Sequence, residues 1–125
     1  MSKRVLILSS SPRKAGNSSI LCDQFMKGAI EAKHHVDKVL LADKRINYCL
    51  GCYACEGTGE CAQDDDMAQV LDSMMAADVI VLATPVYFYT MCAQMKTVID
   101  RTVARYTKLT NKEFYFIVTA AEDNR

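Results

Sequence analysis

Val5-Leu6-Ile7-Leu8 is the feature that most narrows the choice of fold. Four apolar residues in a row leave no polar face, so a strand built from them is covered on both sides, as in a parallel sheet. The run feeds straight into Ser9-Ser10-Ser11-Pro12-Arg13-Lys14-Ala15-Gly16-Asn17-Ser18-Ser19, and a helical pattern begins near Ser18. A strand, a hydroxyl-rich loop and a helix start, in that order, aim backbone N–H groups and the positive helix end at one spot. Ser9, Ser10, Ser11, Ser18 and Ser19 add hydroxyls, Asn17 an amide, and Arg13 a planar cation suited to phosphate. Pro12 stiffens the turn, and Gly16 is free to take a positive φ. The loop reads as a phosphate cradle; the plainer alternative is a polar connection with a good N-cap. Its spelling is neither that of an NTP-binding loop, which needs Gly-Lys-Ser/Thr, nor the G-x-G-x-x-G of dinucleotide binding.

The rest of the chain repeats the alternation. A helix is expected over 18–33, with Ile20, Leu21, Phe25, Met26, Ala29, Ile30 and Ala32 at helical spacing, and a second strand over 36–41. His34 and His35 read as solvated residues of a last helical turn. Residues 42–63 form a long connection of little periodicity, a length that is usually functional inside a compact domain. Asp64-Asp65-Asp66 opens the next helix, with Asp66 and Gln69 spelling a capping box. A third strand is expected over 78–84 and ended by Pro85, followed by the apolar and aromatic loop Val86-Tyr87-Phe88-Tyr89-Thr90. A helix over 91–106 carries Met95, Val98, Ile99 and Val103 on one face, and a fourth strand covers 113–120. The order β-α-β-α-β-α-β describes one α/β domain over residues 1–125, an open parallel sheet with helices on both faces.

Lys+Arg and Asp+Glu balance at 15 each, so no net field draws nucleic acid or an anionic membrane. No apolar run approaches a membrane span, and the first strand starts almost at the N-terminus, which points to a cytoplasmic protein. Ligands of open α/β sheets sit beyond the carboxyl ends of the strands. The loops 9–19, 84–90 and 119–124 reach that rim. The first offers phosphate chemistry; the second, with Thr84, Pro85, Val86, Tyr87 and Phe88, offers a flat aromatic and backbone surface, and the third begins with Thr119 and Ala120. A phosphorylated planar ring fits both ends, and FMN is the natural candidate. About 30 non-hydrogen atoms at about 0.3 kcal/mol each would give about 9 kcal/mol of binding.

Four of the six cysteines fall in the long connection, as Cys49-x2-Cys52-x2-Cys55-x5-Cys61. Three closely spaced thiolates and a fourth brought back through Gly57 and Gly59 can surround one [4Fe–4S] cube. Tetrahedral zinc is satisfied equally well by four thiolates, and free or reversibly oxidised thiols are the third reading. Cys22 and Cys92 read as small core residues on helices.

Three blocks carry a family resemblance: Ser11-Pro12-Arg13-Lys14-x-Gly16-Asn17-Ser18, Gly51-Cys52-x-x-Cys55-x-x-x-Gly59-x-Cys61-x-x-x-Asp65-Asp66-Met67, and Ala77-Asp78 through Thr84-Pro85-Val86-Tyr87, continuing to Lys96 and Asp100-Arg101. In order and spacing they resemble the NADPH-dependent FMN reductase branch of the flavodoxin-like proteins, and the cysteine run resembles its iron–sulfur flavoproteins. Ser10 departs from the pattern, where relatives often carry glycine. The resemblance implies a flavodoxin-like sheet of order 2-1-3-4-5 whose fifth strand lies beyond this chain. It implies FMN held at its phosphate by Ser9, Ser11, Arg13, Asn17, Ser18 and Ser19 and at its ring by Thr84, Pro85, Val86, Tyr87 and Phe88. It also implies NAD(P)H as donor, a flavin, quinone or other small acceptor, and a homodimer or homotetramer; Lys96, Asp100 and Arg101 read first as solvent-facing helix charges, with a subunit contact as the alternative. A non-enzymatic electron carrier of the flavodoxin type and a metal-held interaction module are the rival classes.

Overall fold

The Val5–Leu8 run lies at the centre of the molecule. In the computed structural model, which describes residues 1–121, β1 (Arg4–Ser9) lies between β2 (His35–Leu40) and β3 (Val79–Tyr87), parallel to both. β5 (Glu113–Thr119) pairs with β3 in parallel, giving the order β2-β1-β3-β5. The strand expected fourth is therefore β5, in the expected place. A two-residue strand, β4 (Thr90–Met91), hangs from β3 as an antiparallel hairpin.

Alternation along β1 sorts the core into two layers. Leu6 and Leu8, with Ile80 and Leu82 of β3, pack against α2 (Met67–Ala76) and α3 (Ala93–Arg101) through Val70, Met74, Met95 and Val98. Val5 and Ile7, with Val79, Val81 and Ala83, face α1 (Asn17–Glu31) through Cys22, Phe25, Met26 and Ala29. Ile7, Leu8, Ile80 and Val81 have no exposed surface; burying each stabilises the fold by about 1.5–3 kcal/mol.

Several local expectations are corrected. Ile20, Leu21 and Ile30 face solvent, so α1 buries a narrower stripe than its apolar content suggested. His35 belongs to β2, and His34 is partly buried, its Nδ1 accepting the N–H of Lys3 at 3.0 Å. Pro85 does not end β3: the strand runs on to Tyr87 because β5 still pairs with it, Pro85 opposite Thr119. The residues 86–90 are a hairpin rather than a loop, turning through Phe88 and Tyr89 at positive φ (46° and 73°). α3 ends at Arg101 and continues as short 3₁₀ turns, which leaves Val103 exposed. The Thr102 hydroxyl donates to Ile99 O at 2.6 Å at that point, a local bond that competes with helix continuation. Cys92 precedes α3 and does not lie on it. Residues 122–124 of the third rim loop lie outside the described residues.

Candidate functional site

Both rim loops open onto one cleft of about 260 Å³ at the carboxyl ends of β1, β3 and β5. One end is walled by Ser11, Arg13, Gly16, Asn17 and Ser18, the other by Pro85, Val86 and Tyr87, with Thr119, Ala120 and Ala121 between. α1 starts here with an extended residue, Gly16, as its cap; it has no side-chain cap and no acid in its first turn. Its positive end and first N–H groups are thus left to whatever occupies the cleft. Gly16 fits closely: a Cβ there would stand 3.3 Å from both Arg13 Cβ and Ser11 Oγ. The Ser11 hydroxyl accepts the N–H of Arg13 at 3.1 Å, which shapes the turn. No His, Asp or Glu lines the cleft among the described residues.

Ser9, Ser19, Thr84 and Phe88 do not line the cleft. Ser9 is 1% exposed and lies beside the Cys22 thiol, which burial pushes up. The Ser19 hydroxyl accepts from Lys38 Nζ at 3.1 Å, and Lys38 also pairs with Asp23 at 2.6 Å. Phe88 projects into solvent, edge-on to Tyr89 at 5.4 Å. Thr84 is buried, and its hydroxyl donates to Pro85 O at 2.8 Å and accepts the Cys92 N–H at 3.0 Å.

That last bond belongs to a buried seam behind the cleft. The Ser10 N–H and hydroxyl both donate to Ala83 O, at 3.0 and 2.7 Å, and the Cys92 thiol lies 3.1 Å from the Ser10 hydroxyl. The seam stitches the first loop to β3 and to the start of α3. The serine at position 10 is thus used as a side chain, which a glycine there would not supply. Nothing in the local sequence marks the seam, since its members lie 8 to 82 residues apart.

The cysteine loop forms the second site. Cys49, Cys52, Cys55 and Cys61 all line one cavity of about 400 Å³, closed on its far side by Asp100, Arg101, Val103 and Ala104 at the end of α3. Gly57 and Gly59 take positive φ (79° and 74°), as a chain doubling back to deliver Cys61 requires. Two sulfurs already accept backbone hydrogen bonds at 3.4 Å, Cys49 from the Gly51 N–H and Cys61 from the Gln63 N–H. Among the described residues no three His, Cys, Asp or Glu side chains converge as ligands of a single metal ion. The donor set is four thiols around a common cavity, which in kind and number suits a polynuclear sulfur-bridged group and a tetrahedral zinc alike.

Of the aspartates expected to cap α2, Asp65 does take its first N–H, at Met67, but Asp65 and Asp66 also hold this loop. Asp66 stands at the N-cap position without a side-chain cap bond, and its carboxylate takes the Arg45 N–H at 2.6 Å. Asp65 accepts from Asn47 N at 2.9 Å and Met67 N at 3.0 Å, and from both terminal nitrogens of Arg101 at 2.8 and 3.0 Å. The side chains are 1% and 2% exposed, so Arg101 is a buried partner of the loop and not a surface contact. Burial pushes the Asp65 carboxyl up, but the bonds from Arg101, Asn47 and Met67 outweigh it and bring the pKa down to about 2. Hydrogen bonding to Asp65 raises the Arg101 pKa above its ordinary value against the opposing effect of burial, with the Cys61 sulfur a smaller contributor.

A sequence profile described as NADPH-dependent FMN reductase matches residues 3–124. The chain belongs to that family. Within it, the chain groups with the iron–sulfur flavoproteins: it is 46% identical over 91 residues to one from Archaeoglobus fulgidus, covering 73% of this chain and 41% of that one. It is 38% identical over 98 residues to one from Methanocaldococcus jannaschii, covering 78% and 51%. The chain thus spans about half the length of the curated relatives it matches. In fold it is similar to the NAD(P)H:quinone oxidoreductase of Methanothermobacter marburgensis, with a TM-score of 0.77 at 20% identity over 99% of this chain and 68% of that one. The family's sheet, parallel with helices on both faces, is flavodoxin-like. No helix among the described residues is long and apolar enough to cross a membrane.

Proposed function

We propose that this family member is an FMN-binding oxidoreductase that takes electrons from NAD(P)H and delivers them to a flavin, quinone or other small acceptor, with Cys49, Cys52, Cys55 and Cys61 as holders of a [4Fe–4S] cluster. The observation that carries the reading is the shared cleft, cationic and hydroxyl-lined at one end and flat and apolar at the other. Bound FMN would supply hydride and single-electron chemistry. Arg13, Asn17, Ser18 and the open N-terminus of α1 would neutralise and orient its phosphate, and Gly16 lets the backbone approach closely. Pro85, Val86 and Tyr87 would lie along the ring and exclude water from that side. Among the described residues no acid or imidazole lines the wall, and what these residues would contribute is positioning. The cleft is small beside the roughly 300–1,000 Å³ of ligand pockets, so part of the ring would project beyond this chain, in keeping with a homodimer or homotetramer in the cytoplasm.

The test is a fluorescence titration with FMN on the wild type and on Arg13→Ala with Ser18→Ala. Losing one charge-assisted and one neutral hydrogen bond, about 2–4 kcal/mol together, weakens binding by at least thirtyfold without unfolding the domain. Unchanged affinity removes the cradle. Flavin that binds but is bleached by neither NADPH nor NADH leaves the site and removes the reductase.

A further inference from the structure

Arg101 has a donor that the described residues leave unused. Its NH1 group gives hydrogen bonds to Asn47 O at 2.7 Å and to Asp65, and its NH2 group gives one to Asp65. The Nε–H is buried and has no partner among the described residues. A buried charged donor rarely stays unpaired, because nothing repays its lost hydration. Arg101 lies in the wall of the cavity that also carries all four loop cysteines. Cys61, already an acceptor of the Gln63 N–H, shares with Arg101 the wall of this cavity and of the neighbouring one on the α2 side.

We propose that Arg101 is the side-chain donor to the sulfur-rich group held by the cysteine loop, giving its free Nε–H to sulfur at the Cys61 side, with Asp65 as the positioning residue that fixes the guanidinium. This rests on the iron–sulfur reading of that loop. The geometry separates two tasks within one side chain. The terminal nitrogens lock Arg101 to Asp65 and to the loop backbone at Asn47, and Nε is the one guanidinium nitrogen left without a partner among the described residues. An N–H···S bond from a fixed cation stabilises whichever redox state carries more negative charge on sulfur, which is the reduced state. Hydrogen bonds to the sulfurs are among the quantities that set such potentials.

The experiment uses chain reconstituted anaerobically with ferrous iron and sulfide, assayed for iron and acid-labile sulfide, and titrated with dithionite as the one-electron reductant under EPR. Arg101→Gln combined with Asp65→Asn keeps a neutral hydrogen-bonded pair but removes the charge. Its expected midpoint is lower by at least a tenfold change in the reduction equilibrium, about 59 mV for one electron. Arg101→Lys, which keeps the charge but lacks the Nε–H, falls between the two. A second readout needs no variant: wild type grown with arginine labelled by ¹⁵N in the guanidinium should show a ¹⁵N hyperfine coupling to the reduced centre by pulsed EPR. That coupling survives Arg105→Lys. Absence of the coupling, or equal midpoints in folded variants, overturns the role of Arg101 and leaves the cluster standing. A wild type that takes up no iron and sulfide overturns the cluster reading and the inference with it.

Discussion

Asp65→Asn removes half of the buried ion pair on which the cysteine loop hangs. Asp65 is 1% exposed and accepts four hydrogen bonds, two from Arg101 and one each from Asn47 and Met67. The variant leaves the Arg101 guanidinium buried without a counter-charge, which costs about 3–5 kcal/mol at neutral pH. Against a total stability of about 5–15 kcal/mol for a domain of this size, that leaves a thin margin. The pH dependence gives an independent check. The folded carboxyl titrates at about 2 and its reference value is 3.8, so the unfolded chain takes up the proton first as pH falls. The contribution is therefore complete above about pH 5 and lost as pH falls toward 2, about 2 kcal/mol in all, of which about 1 kcal/mol is gone by pH 3. Urea denaturation followed by circular dichroism at pH 7, 5 and 3 measures both quantities. Other carboxylates contribute equally to wild type and variant, so the difference between their pH slopes isolates Asp65. A cost below about 1 kcal/mol at pH 7, or parallel slopes between pH 5 and 3, would refute the reasoning.

Thr84→Val keeps shape but orphans the buried Cys92 N–H; we expect a loss of about 1–3 kcal/mol, read as a lowered thermal midpoint, with Thr84→Ser restoring most of it. The hairpin turn at Phe88 and Tyr89 places two bulky residues at positive φ, at about 1–2 kcal/mol each. Phe88→Asn with Tyr89→Gly supplies the residues such a turn prefers and gives up one edge-to-face contact worth about 0.5–1.5 kcal/mol. Chemical denaturation should show a net gain of about 1 kcal/mol or more, and a destabilised double variant would mean that the exposed rings hold the rim.

The sheet was legible because its evidence is local. Val5–Leu8 and Val79–Ala83 are apolar on both faces, and no other element satisfies such runs as readily as a covered parallel strand. The first loop was legible for the same reason, its hydroxyls, Arg13 and helix start being contiguous. What escaped was set by partners distant in sequence. Pro85 reads as a strand stop, yet β5 pairs along it to Thr119, and Phe88-Tyr89 lacks the Asn-Gly spelling that announces a hairpin. Asp65 and Asp66 look like helix caps until Arg101, Arg45 and Asn47 are brought beside them. The division of the serines followed the same logic. Ser11 and Ser18 open to the cleft, whereas Ser9, Ser10 and Ser19 turn to Cys22, Ala83 and Lys38, and nothing in a run of similar hydroxyls sorts one group from the other.

The seam of Ser10, Ala83, Thr84 and Cys92 makes the two walls of the cleft parts of one body. A ligand taken up there as proposed would meet walls already tied together, so that part of the ordering entropy is spent in folding and is not charged again at each encounter. Affinity at this cleft should then track the chemistry of the guest, and its exchange should need no opening of the protein.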